Sequence, residues 1–174
     1  KTPVIFVSGH FSNFELMAME IEKSGVSLSA IYRPLNNIFL NILMERIRKK
    51  YICKNQIKKG TSGVRELLRL YKKGYSIALM IDQRVSQGIK SKFFDEEAFT
   101  TTIPAQFIKK FNCKVVPISI KRYNGVNFNI KIENPMEFSK SSSTEKITRE
   151  LNIWLEKAIL KNSGEWIWSH DRWK

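Results

Sequence analysis

Cysteine and histidine are both scarce in this chain, two of each in 174 residues. Cys53 and Cys113 lie far apart and form no CxxC pair, so neither a zinc ribbon nor a redox motif is suggested; they read as ordinary thiols in a reducing compartment. With no helical histidine pair and no cysteine cluster at ligand spacing, the sequence implies no metal. Long apolar runs are missing too. The longest, IALMI at 77–81, is far short of the roughly 20 residues that a spanning helix needs, and no secretory signal is visible. No GxSxG elbow occurs and neither cysteine lies near a histidine in sequence, so no enzyme nucleophile is evident. Acids are the last deficit: 16 Asp and Glu stand against 30 Lys and Arg, a net charge of +14.

What is present suits a folded enzyme or binding module. The 43% apolar and 11% aromatic content excludes a disordered tail, and 174 residues suffice for one domain whose core needs no disulfide or metal. The positive charge is concentrated between residues 42 and 73, where Arg46, Arg48, Lys49, Lys50, Lys54, Lys58, Lys59, Arg65, Arg69, Lys72 and Lys73 face only Glu45 and Glu66. Such a surface attracts polyanions: nucleic acid, an anionic leaflet or an acidic protein. It also fits a plain solvated face. A nucleic-acid module is the rival reading, but no RRM, KH, zinc-finger or helix-turn-helix signature supports it.

Strands and helices alternate along the chain. Strands are expected at 3–9, 27–33 and 75–82, and helices at 12–25, 36–50 and 63–74. A long loop follows at 84–102, then a helix at 103–112 with Pro104 in its first turn. A hairpin around Asn124-Gly125 joins strands 114–123 and 126–134, and a last helix spans 143–162. With no repeat or linker, the pattern predicts an α/β fold: one domain, residues 1–174, with a mostly parallel central sheet flanked by helices. In such sheets the chemistry gathers beyond the carboxyl ends of the strands. His10, Arg33, Asp82 and Gln83 all fall at such ends.

His10 and Glu15 carry the sharpest question. Ser12-x-x-Glu15 has the spacing of a capping box, in which the serine and glutamate satisfy amides of the first helical turn. The carboxylate has a second oxygen, which can accept from His10 Nδ1–H, fix the tautomer and leave Nε2 bare as a general base. A bare His/Glu dyad suits direct attack of a substrate hydroxyl on an activated acyl group.

These residues resemble a family. GHFSNFE carries the HX4(D/E) signature of the lysophospholipid acyltransferase superfamily, and four further blocks look like its bacterial branch, the late acyltransferases of lipid A biosynthesis (lauroyl and myristoyl transferases). They are YRPLNN (32–37), GVRELLRLYKKGYSIALMIDQ (63–83), FFDEEAFTT (93–101) and WIWSHDRWK (166–174). Asp95 stands where the family usually has glycine, and Asp171 replaces a common arginine. The resemblance implies a glycerol-3-phosphate-acyltransferase-like fold, and a chain that is the catalytic core of a longer protein with an N-terminal membrane anchor. It implies transfer of a fatty acyl group from acyl carrier protein to a hydroxyl of an anionic lipid A precursor, at the membrane surface on the cytoplasmic face of the bacterial inner membrane. No cofactor beyond the carrier's phosphopantetheine is implied, and no nucleic acid. His10 and Glu15 are the catalytic candidates; Arg33 would bind an acceptor phosphate or the oxyanion, with Asp82 and Gln83 shaping the substrate pocket. Another glycolipid or an amino lipid as acceptor remains an alternative.

Overall fold

A computed structural model describes residues 2–174. The chain forms two compact units, one of Lys1–Phe6 and Glu15–Leu79, the other of Val7–Phe14 and Met80–Lys174. Six strands are hydrogen-bonded in the order β3-β2-β4-β1-β7-β8: β1 (Ile5–Ser8), β2 (Leu28–Tyr32), β3 (Asn55–Lys58), β4 (Ser76–Met80), β7 (Val115–Tyr123) and β8 (Asn127–Ile132). β2 runs parallel to both β3 and β4, and β8 closes the other edge antiparallel to β7. This is the expected α/β architecture with a mostly parallel central sheet.

β1 opens on a continuous apolar run because both faces of a covered parallel strand are buried. Helix α3 (Thr61–Lys72) buries Gly63, Leu67, Leu70 and Tyr71 and leaves Arg65 and Arg69 outside that apolar stripe. A Cβ on Gly63 would lie 2.0 Å from the Lys58 carbonyl oxygen, so only glycine lets α3 approach β3 this closely. Helix α1 (Glu15–Lys23) buries Met17, Ala18 and Ile21. Helix α2 (Ile38–Ile47) gives way to a π-helical turn over Arg48–Ile52, where the continuous helix expected at 36–50 breaks. β3 falls in a stretch for which the sequence pattern predicts no strand.

In the second unit, α4 (Ile103–Phe111) ends on Asn112 in the left-handed region, and α5 (Thr144–Lys161) starts from a Ser143 cap that accepts the Lys146 amide. α5 buries Ile147, Leu151, Leu155 and Ile159, an i, i+4 stripe. Asn124 and Gly125 carry positive φ at the β7–β8 turn, as the sequence led us to expect. The stretch 84–102 is not a loop. It holds a two-stranded antiparallel sheet, β5 (Ile89–Phe93) and β6 (Glu96–Thr100), turning at Phe94 and Asp95.

Candidate active site

The apolar run of β1 ends at Ser8, and the chain then turns at Gly9 and His10. A side chain at Gly9 would force its neighbours to move. A Cβ there would lie 2.9 Å from both Leu155 Cδ1 and Phe11 Cε2 and 3.3 Å from Asp82 Oδ2. That closeness brings the backbone of His10 onto a carboxylate. The His10 amide donates to Asp82 Oδ2 at 2.7 Å, and His10 Nδ1 lies 2.7 Å from Asp82 Oδ1. A carboxylate only accepts, so Nδ1 carries the hydrogen, and in the neutral ring it is Nε2 that has the lone pair. Phe14 packs edge-on against the imidazole, centroids 4.6 Å apart.

Asp82 follows β4 and is 3% exposed. Burial penalises its charge, yet the hydrogen bonds and charge of His10, with a third bond from Trp166 Nε1 at 2.9 Å, prevail and hold its carboxyl below the ordinary range. A buried carboxylate with three N–H donors stays ionised and fixes the ring it holds.

The C-terminal block builds the rest of this wall. Phe11 bridges to Trp166, the Ile167 amide donates to the His10 carbonyl at 3.0 Å, and the Ser12 amide donates to the Glu165 carbonyl at 2.8 Å. Arg172 is fully buried; it donates to the Phe99 carbonyl at 2.7 Å and to Thr100 Oγ1 at 2.6 Å, over the face of Phe93. Burial pulls its pKa down to about 10, opposed by the charge of Asp82, so it remains a cation at neutral pH. A cavity of about 370 Å³ in the same unit is walled by Phe11, Ile120, Trp154 and Ala158, with Lys121 and Lys157 also lining it.

The expected partner of His10 is corrected by this geometry. Glu15 does not hold Nδ1; Asp82 does. Glu15 Oε1 instead accepts from Arg48 Nε at 2.7 Å and Nη2 at 2.6 Å, and Arg48 lies over the Tyr32 ring. The capping box does not form either, since Ser12 has φ of +45° and its buried hydroxyl has no partner among the described residues. The local spacing that suggested both roles is real, but a residue turned into the left-handed region aims its side chain away from the first helical turn.

Arg33 belongs to the first unit and is exposed, with Lys59 close enough that Arg33's charge, after burial, lowers the lysine's pKa. Gln83 is half-buried directly after Asp82. His170 Nε2 accepts the Arg84 amide at 3.1 Å, which occupies the lone pair that a second base would need. The sequence places Asp82 at the substrate pocket but not against His10, and gives Trp166 and Arg172 only as members of the WIWSHDRWK block, with no contact assigned to either.

A family model described as bacterial lipid A biosynthesis acyltransferase matches residues 1–174. A protein named lipid A biosynthesis acyltransferase from Haemophilus influenzae is 25% identical over 177 aligned positions, covering all of this chain and 56% of that relative. The chain thus spans about half the length of the curated relative it matches.

Proposed function

Because the chain belongs to the bacterial lipid A biosynthesis acyltransferase family, we propose that it is the acyl-transfer core of a longer enzyme. It moves a fatty acyl chain from the thioester of acyl carrier protein to a hydroxyl of a lipid A precursor. The observation that carries this reading is the His10–Asp82 pair, an imidazole whose Nδ1 is locked on a buried carboxylate so that Nε2 is the nitrogen left to act as base.

The chemistry derives from that tautomer. His10 Nε2 takes the proton of the acceptor hydroxyl as its oxygen attacks the thioester carbonyl, and Asp82 stabilises the imidazolium that forms. The tetrahedral intermediate collapses, the carbon–sulfur bond breaks, and the imidazolium returns its proton to the leaving thiolate. One ester forms and one thioester is lost, with no covalent enzyme intermediate and no resident cofactor. The apolar walls of the cavity beside Phe11 suit an acyl chain. Arg33 is a ligand for an acceptor phosphate on its own chemistry, an exposed guanidinium beside a second cation. The bases of 42–73 have the sign that an acidic carrier protein requires. In this reading the reaction occurs at the cytoplasmic face of the inner membrane; among the described residues no helix is long and apolar enough to cross a membrane.

The test is an acyl-transfer assay on the full-length protein in detergent micelles, with carrier-protein thioesters of several lengths and a tetra-acylated lipid A precursor. His10→Ala should lower turnover by about 10²–10⁴-fold, the range general-base catalysis supplies, with the thermal unfolding transition retained. Undiminished transfer by a folded His10→Ala protein would refute the assignment, and transfer only to a different glycolipid or amino lipid would keep the chemistry and change the acceptor.

A further inference from the structure

Helix α2 is built inside out. None of its ten residues, IFLNILMERI, is buried. Phe39 is 84% exposed and Ile38 73%, and Leu40, Ile42, Leu43 and Ile47 are exposed as well. The polar side chains point the other way. Asn41 Nδ2 donates to Glu45 Oε1 at 2.8 Å, the Tyr32 hydroxyl donates to the same oxygen at 2.5 Å, and Arg48 is clamped on Glu15. Positions 41, 45 and 48 share one helical face, and 39, 42 and 43 lie on the opposite one. A helix on a water-facing surface does the reverse, burying its apolar stripe and solvating its polar one.

Scattered exposed leucines need no explanation, but six large apolar side chains on one unpartnered helix do. The cations at the C-terminal end of α2 identify the partner. Arg46, Lys49 and Lys50 are exposed in its last turn and in the π-helical turn, and Lys50 lies 5.0 Å from the centroid of the half-exposed Tyr51 ring. The one acid between 38 and 52 is Glu45, engaged by Tyr32, Asn41 and Lys58. A second copy laid on α2 would cover its apolar stripe but bring the same cations with it, and an acidic protein surface would meet the cations but not six large apolar side chains. An anionic lipid surface satisfies both.

We infer that α2 is an interfacial helix: Phe39, Ile42 and Leu43 enter the acyl region of an anionic bilayer while Arg46, Lys49 and Lys50 sit on its headgroup phosphates. The Glu15–Arg48 pair and the Tyr32–Glu45–Asn41 cluster then have a purpose, holding the helix by its polar face so that the other is presented. This deepens the membrane partner in the proposed function, but it rests on the geometry of α2 and would stand for any acceptor lipid.

The experiment places an environment-sensitive fluorophore at Phe39→Cys in the full-length protein, reconstituted into phosphatidylcholine vesicles with or without phosphatidylglycerol. Cys53 and Cys113 are buried, and burial pushes the Cys53 thiol up to about 12, so within these 174 residues the label goes to position 39, and any cysteine of the longer protein outside them is replaced by serine. In phosphatidylglycerol vesicles the emission should shift to the blue and be quenched by lipid carrying a spin label on its acyl chain. Lys49→Gln with Lys50→Gln should lower this local insertion equilibrium roughly 30-fold, at about 1 kcal/mol per cation. A probe that is not quenched by spin-labelled lipid would overturn the inference, a blue-shifted one showing that another segment or a second copy covers the helix. So would quenching that is equal in neutral vesicles and in the lysine variant. Neither readout requires turnover, so loss of insertion and loss of acyl transfer are separate results.

Discussion

At the scale of single residues, the histidine was legible and its partner was not. His10 stands out because a polar residue between an apolar strand and a helix falls where α/β sheets place their chemistry. The local carboxylate was the natural candidate for its Nδ1, yet the one that binds it is 72 positions away. Which strand end lies beside which is decided by strand order, and strand order is not written in any local spacing. The tautomer gives this pairing a direct test. Two N–H donors, from His10 and Trp166, converge on Asp82 Oδ2. In Asp82→Asn the side-chain oxygen must take that position, which turns its amide toward His10 Nδ1. A donor then meets Nδ1, and the imidazole flips to the Nε2–H form that cannot act as base. Nitrogen-15 spectra of the ring should show this reversal in Asp82→Asn and the original tautomer in Glu15→Gln. An unchanged tautomer in the asparagine variant would place the orienting group elsewhere.

At the scale of elements, the periodic and well-punctuated segments were readable: β1, β4, α3, α4, α5 and the β7–β8 turn all lie within a few residues of their expected positions. The hairpin β5–β6 was not, because its strands are short and charged and its turn is Phe94-Asp95, with neither glycine nor asparagine to announce it. Both turn residues nonetheless hold positive φ, +51° and +64°, as a two-residue turn between paired Phe93 and Glu96 demands. The strain is offset by side chains that grip the hairpin. Asn152 Nδ2 donates to the Lys92 carbonyl at 2.9 Å, Trp173 Nε1 to the Phe93 carbonyl, and Arg172 to β6. The turn is therefore conformationally costly, and glycine at Asp95 should relieve it. Asp95→Gly is expected to raise stability by about 1 kcal/mol, a melting-temperature rise of roughly 2–4 °C for a chain of this size. A fall instead would mean that Asp95 makes a favourable local interaction worth more than its backbone strain.

At the scale of the whole molecule, the sequence displayed its excess of base plainly, but which acids are tied up in pairs is a property of the fold. Bonds from Tyr32 and Asn41 bring Glu45 down to about 2, and Asp82 is likewise lowered. A carboxyl whose native pKa lies below its unfolded value, about 3.9 for Asp and 4.3 for Glu, contributes stability above that unfolded value and loses it as pH falls through the native one. Meanwhile each acid that protonates adds to a net charge already at +14, and self-repulsion grows. Both effects have the same sign. The melting temperature should thus be nearly level from about pH 7 to 5 and drop steeply below about pH 4, with added salt recovering the part due to repulsion. Glu45→Gln separates the two contributions, because it removes a lowered carboxyl while leaving the other acids in place. Its melting temperature should be lower than that of the parent at neutral pH and converge with it near pH 2; curves that stay parallel across the range would show that Glu45 is not ionised in the way its partners require.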